Sequence, residues 1–258
     1  MPERYKDPKQ TIEARVADLM GRMTLEEKVG QLALLEALSK IDTKLIVVLI
    51  NSKPLTLPPS VQNASAIIEA FNPRMMGDKA IAEAIFGAIN PSGRLTVSIP
   101  YHVGQQPVYY SQVRGQHGDR YADHTQRPRF PFGFGLSYTS FAYSELRIQK
   151  QSSLQKEGTL RFSIHFKNTG SHAGRETVQA YISDLVTSVT WVNKELKAFA
   201  KIDLAAGEEK EVALSIPLVD CSIVNAHCER VVEPGDFELQ VGSSSRERDL
   251  LKTTFTII

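Results

Sequence analysis

Leu160-Arg-Phe-Ser-Ile-His-Phe166 alternates apolar and polar side chains, which is the pattern of a β-strand with one buried face. Four later stretches have a similar strand-like texture, and they are Thr177–Ile182, Lys194–Ile202, Glu211–Ile216 and Gly235–Val241. Turn residues such as Asn168-Thr-Gly170 and Pro234-Gly235 separate them. Several short strands at this spacing predict an antiparallel β-sandwich over residues 158–258.

The residues before this sandwich mix strand and helix patterns. Leu45-Ile-Val-Val-Leu-Ile50 is a continuous apolar run, typical of a parallel strand that is buried on both faces. Ser65–Phe71 suits a short strand or a helix, and Gly77–Phe86 has helical spacing with Gly87 as its stop. Arg94–Ile99 alternates as a strand does. Strands interleaved with helices favour an α/β layer arrangement in this part of the chain.

Four segments make up the predicted domain organisation. Residues 1–32 form a helical leader, in which a capping box at Thr24-Leu-Glu-Glu27 begins a second helix that ends near Lys40. Residues 33–145 form a partial α/β-sandwich domain, and the polar residues 146–157 form a linker. The predicted fold class is α/β plus all-β, namely an incomplete α/β sandwich followed by a β-sandwich of the fibronectin III or immunoglobulin type.

Composition excludes several classes of function. The chain has 258 residues and a formal net charge of +1, so it carries no basic platform for nucleic acid. Its two cysteines exclude a disulfide framework, and no apolar run approaches the roughly 20 residues that span a bilayer. The charged start, MPERYKDPKQ, lacks the apolar core of a signal peptide. From these features we expect a cytoplasmic protein without membrane or nucleic-acid partners.

Several motifs, in order along the chain, resemble glycoside hydrolase family 3, the family of β-glucosidases and β-xylosidases. Thr24–Leu32 resembles the opening of the family's barrel domain. Matches to its second, α/β-sandwich domain are Ile46–Leu55, Asn90-Pro-Ser-Gly-Arg-Leu95 and Phe132-Gly-Phe-Gly-Leu-Ser-Tyr-Thr139. Matches to its fibronectin III-like domain are Asn168-Thr-Gly170, Lys194–Phe199, Val232–Gly235 and Val241–Ser244. The resemblance implies a lineage that acts on β-linked sugars.

The resemblance also implies that the catalytic part is missing. The family's (β/α)8 barrel needs about 250 residues, whereas the barrel-like opening here runs directly into Ala33–Leu38, which resembles the helix before the sandwich strand. The family's nucleophile is an Asp in a Ser-Asp-Trp-like motif, and its acid/base Glu lies in an early loop of the second domain. Neither is present, so we assign no catalytic residue. Arg74, Met75 and Met76 also replace Gly and Glu residues that are usual in the family, and Ser52 replaces a usual Gly.

One polar cluster in the long loop of residues 100–140 is a candidate sugar-contacting loop. Its members are Arg114, His117, Asp119, Arg120, Tyr121 and Asp123. Carbohydrate sites use Asp, Arg and aromatic side chains of this kind, and His117 with Asp119 can in principle form an acid/base pair. The alternative is a solvated loop that braces a domain surface, which we favour because the rest of the family's site is absent.

The sequence indicates no metal site and no cofactor. The spacing of His102, His117 and His124 matches no ligand motif, and Cys221 and Cys228 are better explained as reduced thiols than as zinc ligands around His227. Gly133-Phe-Gly135 is not a phosphate loop, because no Lys-Ser/Thr or helix start follows it. Aromatic residues of this region are expected to pack under the sandwich, and they are Phe130, Phe132, Phe134, Tyr138 and Phe141.

Three hypotheses follow for function. The first is a truncated family 3 β-glucosidase-like protein without glycosidase activity alone, at most a carbohydrate-binding or interaction module. The second is a component that acts on β-linked sugars together with a separate barrel-bearing chain, or that keeps residual activity. The third is unrelated ligand chemistry in the 100–140 loop. The missing barrel would expose apolar side chains, so we expect a homodimer or a partner chain to cover Met75, Met76, Val103, Tyr109 and Tyr110.

Overall fold

A computed structural model describes residues 44–59, 61, 64–115, 125–149 and 154–258, together with residues 7, 9–11, 14, 18, 37, 38 and 40. The chain divides into two compact units, Met1–Ile89 and Asn90–Ile258. The predicted helices before residue 44 lie almost wholly outside the described residues. Across the described part of the chain, no helix is long and apolar enough to cross a membrane.

Residues 44–89 of the first unit contain a small parallel sheet and, after it, a helix. Strand β1 (Ile46–Leu49) pairs in parallel with β2 (Ala66–Glu69), and helix α1 spans Gly77–Ile85. The strand in the Leu45–Ile50 run and the helix before Gly87 are therefore confirmed. The expected burial on both faces is wrong, because Ile46 is 45% and Ile50 is 47% exposed. The faces of a parallel sheet are buried by layers that pack on each side of it, and the side of β1 that carries Ile46 and Ile50 is not covered in this way.

The second unit is an antiparallel β-sandwich. Its seven long strands are β3 (Phe141–Ile148), β4 (Thr159–Asn168), β5 (Gly174–Asp184), β6 (Glu195–Leu204), β7 (Glu209–Pro217), β10 (Gly235–Gly242) and β11 (Leu250–Ile257). One sheet has the order β11-β10-β5-β6 and the other β3-β4-β7, while β8 (Ile223–Val224) and β9 (Arg230–Val231) form a small hairpin. The predicted sandwich is confirmed.

The core of the sandwich comes from the alternation that the sequence displays. Leu160, Phe162, Ile164 and Phe166 of β4 all lie on one face and are at most 1% exposed. They pack in one apolar cluster with inward side chains of the opposite sheet, including Phe237. Fully burying side chains of this size stabilises a fold by about 1.5–3 kcal/mol each. The alternation in β4 therefore determines which side chains of this strand form the core.

The sandwich begins earlier than the sequence indicated. Strand β3 pairs with β4 from Phe141↔Asn168 to Ile148↔Phe162, so residues 146–148, expected in the linker, belong to a strand. Strand β11 was also missed. The alternation in β3 changes phase at a register shift between Ser144 and Arg147, where Glu145 has a positive φ of 52°. A bulge of this kind conceals a strand from a period-two search.

Residues 92–115 and 125–134 cover the outer face of β5. Nearly every residue of β5 is buried, because Val178, Ala180 and Ile182 face the core while Gln179 and Tyr181 face this covering segment. Arg94–Ile99 forms no strand, which corrects the prediction. Its backbone instead bonds to the turn before β3, with Leu95 N donating to Phe134 O at 2.9 Å and Gly133 N to Leu95 O at 2.7 Å.

Candidate functional site

The carboxyl ends of β1 and β2 carry a cluster of polar side chains. Asn51 follows β1, and its Nδ2 lies 3.2 Å from each oxygen of the Glu69 carboxylate at the end of β2. Glu69 Oε1 also accepts a hydrogen bond from the Phe71 amide at 3.0 Å. Ligands of open α/β sheets bind beside this end of the strands. The two side chains are therefore the best-placed polar groups of the first unit.

The loop after β2 has unusual backbone geometry. Phe71 and Arg74 have positive φ angles of 49° and 52°, which are uncommon for residues other than glycine and cost about 1–3 kcal/mol each. Ser52 and Asn72 lie at long hydrogen-bond distance, 3.4–3.5 Å. This edge offers amide, hydroxyl and carboxylate groups that can bind hydroxyl groups. The sequence analysis noted Ser52 as a departure from the family, but it did not select Asn51 or Glu69, and the place of Asn51 directly after the strand was the available signal.

Only one member of the predicted sugar-contacting loop is described. Arg114 donates from Nη1 to Leu185 O at 2.7 Å and from Nη2 to Ser183 Oγ at 2.8 Å, and it also bonds Asp184 O. Its guanidinium thus ties the loop to the end of β5. His117, Asp119, Arg120, Tyr121 and Asp123 lie outside the described residues, as does His124. Their role in sugar contact stays a prediction.

The Phe132-Gly-Phe-Gly135 motif is the inner surface of the covering segment. Phe132 stacks on Tyr110 with ring centroids 4.2 Å apart, and Tyr110 meets the edge of Tyr181 at 5.8 Å. Tyr110 OH accepts from the Leu196 amide at 3.2 Å. Tyr110 is therefore half-buried, not a free apolar surface as expected, because its ring fills the space above β5. Tyr138, expected under the sandwich, is 49% exposed.

The described histidine and cysteine residues that the sequence analysis rejected as metal ligands make ordinary contacts. His102 Nδ1 accepts from the Gly104 amide at 3.0 Å and closes a 3₁₀ turn at Val103–Gln105. Cys221 is buried and Cys228 is exposed, both as free thiols. Burial raises the pKa of the Cys221 thiol to about 12, so it is a poor nucleophile and a poor ligand. The described His, Cys, Asp and Glu residues form no group of three that could hold a metal ion.

Exposed apolar side chains occur in each unit. In the first unit Met75 is 82% and Met76 64% exposed, and in the second Val103 and Tyr109 are each 64% exposed. These four exposures agree with the expectation from sequence.

Two family descriptions match this chain. "Glycosyl hydrolase family 3 C-terminal domain" matches residues 10–138 and "Fibronectin type III-like domain" matches residues 176–245. These matches leave no stretch that could hold a barrel of about 250 residues.

Curated relatives and solved structures agree with both matches. A β-xylosidase of Formosa agariphila is 40% identical, in a match that covers 88% of this chain and 32% of that protein. A periplasmic β-glucosidase of Salmonella typhimurium is 36% identical, in a match that covers 84% of this chain and 29% of that protein. A β-glucosidase from intestinal bacteria, described as involved in saponin metabolism, superposes with a TM-score of 0.85 at 48% identity. The superposition covers 89% of this chain and 33% of that protein. The Listeria innocua β-glucosidase bound to glucose has a TM-score of 0.80 at 31% identity.

The chain spans about a third of the length of these relatives. Within this chain the family 3 C-terminal match, residues 10–138, precedes the fibronectin III-like match, residues 176–245. By these matches the chain belongs to glycosyl hydrolase family 3.

Proposed function

We propose that this chain alone does not hydrolyse glycosides and acts as a carbohydrate-binding or interaction module of β-glucosidase or β-xylosidase lineage. The observation that carries the proposal is its extent, about a third of the relatives and without room for a barrel. Retaining hydrolysis needs two carboxyl groups about 5–5.5 Å apart. Glu69, the carboxylate at the β1–β2 edge, has both oxygens bonded to Asn51, an arrangement that suits binding more than nucleophilic attack.

The ligand we propose is a β-linked carbohydrate, because the relatives are named for β-glucosides and β-xylosides. The loop from Arg114 to Asp123 remains one proposed contact region for it. A cytoplasmic location also stays a prediction, and one relative is named as periplasmic.

A catalytic assay tests the proposal. The purified chain at high concentration is incubated with aryl β-glucosides and aryl β-xylosides, and a full-length relative serves as the positive control. We expect no turnover from a chain that circular dichroism shows to be folded. Turnover that persists through further purification would overturn the proposal, and Glu69→Gln, Asp119→Asn and Asp123→Asn would then locate the carboxylates.

A second candidate function is that of a component that complements a separate barrel-bearing chain. The exposed Met75 and Met76 favour it, since side chains of this kind are seldom left together in solvent. Adding the isolated barrel of a full-length relative to this chain should then restore turnover, and Met75→Ser/Met76→Ser should weaken the effect. Light scattering of the chain alone separately tests the homodimer, which monomeric behaviour in dilute solution would contradict.

A further inference from the structure

A groove of about 560 Å³ opens on the sandwich unit, away from the segment that contains Arg114. It lies where β5 begins, β6 ends and β7 begins, with the Asn90 turn as its fourth wall. Six of its lining residues matter here, and they are Asn90, Arg175, Asp203, Ala205, Glu208 and Lys210. Its volume is within the range of about 300–1,000 Å³ that small-molecule sites occupy.

The Asn90 wall is fixed before any ligand arrives. Asn90 Nδ2 donates to Ala173 O at 2.9 Å, and its Oδ1 accepts from Ser137 Oγ and the Tyr138 amide, each at 2.8 Å. A Cβ at Gly174 would lie 3.0 Å from Asn90 Nδ2, so the neighbouring backbone also packs closely against this side chain. A pre-organised wall reduces the entropy lost on binding.

The charges of the groove already pair with one another. Arg175 holds Asp203 through two hydrogen bonds of 2.8 and 2.9 Å, and Lys210 lies 2.9 Å from Glu208. Lys210 Nζ also donates to Asp203 O at 3.0 Å. Two cations therefore balance two anions. A charged ligand would have to displace one member of a pair, so the groove disfavours ions and suits a neutral molecule.

The paired groups still have hydrogen-bonding capacity to offer. The Arg175 fork uses Nε and Nη2, which leaves the Nη1 donors facing solvent, and each carboxylate has more lone pairs than its partner uses. The Arg175 and Asp203 side chains are 51% and 70% exposed, so a ligand can reach them. A hydroxyl group both donates and accepts. Adjacent hydroxyls of a sugar ring therefore match adjacent donors and acceptors of this kind.

We propose that this groove is a binding site for a neutral, hydroxyl-rich ligand, specifically a β-linked oligosaccharide, with Arg175, Asp203, Glu208 and Lys210 as the contacting side chains. The inference rests on the carbohydrate-binding part of the proposed function and gives it a location. The described residues that line the groove include no aromatic side chain on which a sugar ring could stack. Affinity should accordingly be weak, with a Kd of about 1 mM.

The test is a titration of the ¹⁵N-labelled full chain with cellobiose and with xylobiose, followed by amide chemical shifts. We expect saturable shifts at residues 173–175 and 203–210. Arg175→Gln should raise the Kd about tenfold. The matched control is Arg147→Gln, which breaks the 2.8 Å ion pair with Glu145 on β3, at 70% and 58% exposure, and should leave the Kd unchanged.

Chemical-shift changes confined to residues 114–123 or to the β1–β2 edge would contradict the proposed site in the groove. So would the absence of saturable shifts up to about 50 mM sugar, or equal effects of the two arginine variants. Dispersed amide spectra verify that each variant is folded. The same samples report hydrolysis through the signals of released monosaccharide, so failure of the non-catalytic proposal is read separately from failure of the groove.

Discussion

The guanidinium of Arg94 and the carboxylate of Glu176, 82 residues apart in sequence, form an ion pair at 2.8 Å that is almost fully buried. The side chains are 8% and 3% exposed. Tyr143 OH donates to the other carboxylate oxygen at 2.9 Å, and burial followed by the charge of Glu176 raises the pKa of Tyr143 well above its usual value. The pair joins the segment before β3 to strand β5, and Tyr143 brings in the opposite sheet.

Glu176→Gln should therefore destabilise the protein strongly. The variant leaves the Arg94 charge buried without a counter-charge, and removing one member of a buried pair costs about 3–5 kcal/mol. Urea unfolding followed by circular dichroism measures this change. The comparison variant is Glu209→Gln, at the 3.4 Å pair with Lys167 whose side chains are about half exposed, where a change below about 1 kcal/mol is expected. Equal effects would mean that burial of the Arg94 pair contributes nothing.

Gly133→Ala should detach the covering segment from β5. Gly133 has a φ of +79°, and an added Cβ would lie 2.0 Å from Gln179 Oε1 and 2.9 Å from Tyr181 OH. We expect the free energy of unfolding, measured in urea, to fall by about 3 kcal/mol or more, because backbone strain and overpacking act together. Gly207→Ala is the matched control, because its φ is +73° with nothing within 4 Å, so it should cost only about 1 kcal/mol of strain. A loss at Gly133 no larger than that at Gly207 would contradict the close packing.

Stability should fall as pH rises through the alkaline range. Burial raises the pKa of Tyr181 above its usual value, so the folded protein keeps this proton when the unfolded chain loses it near pH 10. The unfolded state then binds fewer protons, and the free energy of unfolding decreases as pH rises above about 10, while the full contribution is present below that pH. Tyr181→Phe should flatten this decrease. It should also cost about 1 kcal/mol at neutral pH, through loss of the 2.6 Å bond to Gln179.

Urea unfolding of both proteins at about pH 8 and about pH 11 checks the slope, since contributions from other groups cancel in the comparison. Parallel curves for the two proteins would show that Tyr181 ionises equally in both states.

One of the two thiols should react in the native protein. Cys228 is exposed in the turn between β8 and β9, whereas Cys221 is 5% exposed and its pKa is raised to about 12 by burial. A chromogenic disulfide reagent at about pH 8 should therefore titrate one thiol in the folded chain and both in denaturant. Cys228→Ser should abolish the native reaction. Rapid native reaction of that variant would place Cys221 outside the core.

Which strands the sequence predicts depends on how local their signal is. Strands β4, β5, β6, β7 and β10 carry their pattern within a few residues, so period-two alternation found them. Helix α1 was equally evident, with Gly87 at φ +77° as its stop. Strand β3 was not predicted because its bulge at Glu145 inverts the alternation. Strand β11 was not predicted because Thr253, opposite the core residue Leu239, puts a polar residue at an inward position.

The candidate sites depend more heavily on tertiary structure. Asn51 and Glu69 come together because two parallel strands end side by side, and residues 18 apart give no sequence pattern for such a contact. Arg175 and Asp203 are 28 residues apart in sequence, and the antiparallel register of β5 and β6 brings them into contact. The predicted sugar loop, by contrast, rested on composition alone, and its one described residue, Arg114, bonds to the end of β5.

The sequence by itself determined the family, the order of the two matched domains and the sandwich, because motif order and local periodicity indicate each of them. Only the tertiary structure decided which polar side chains are buried. Gln179 and Tyr181 alternate with core residues as solvent-facing side chains do, yet both are buried. Residues from 92–115 and 125–134 cover them, and a local pattern carries no information about a segment that packs from about 50 residues away.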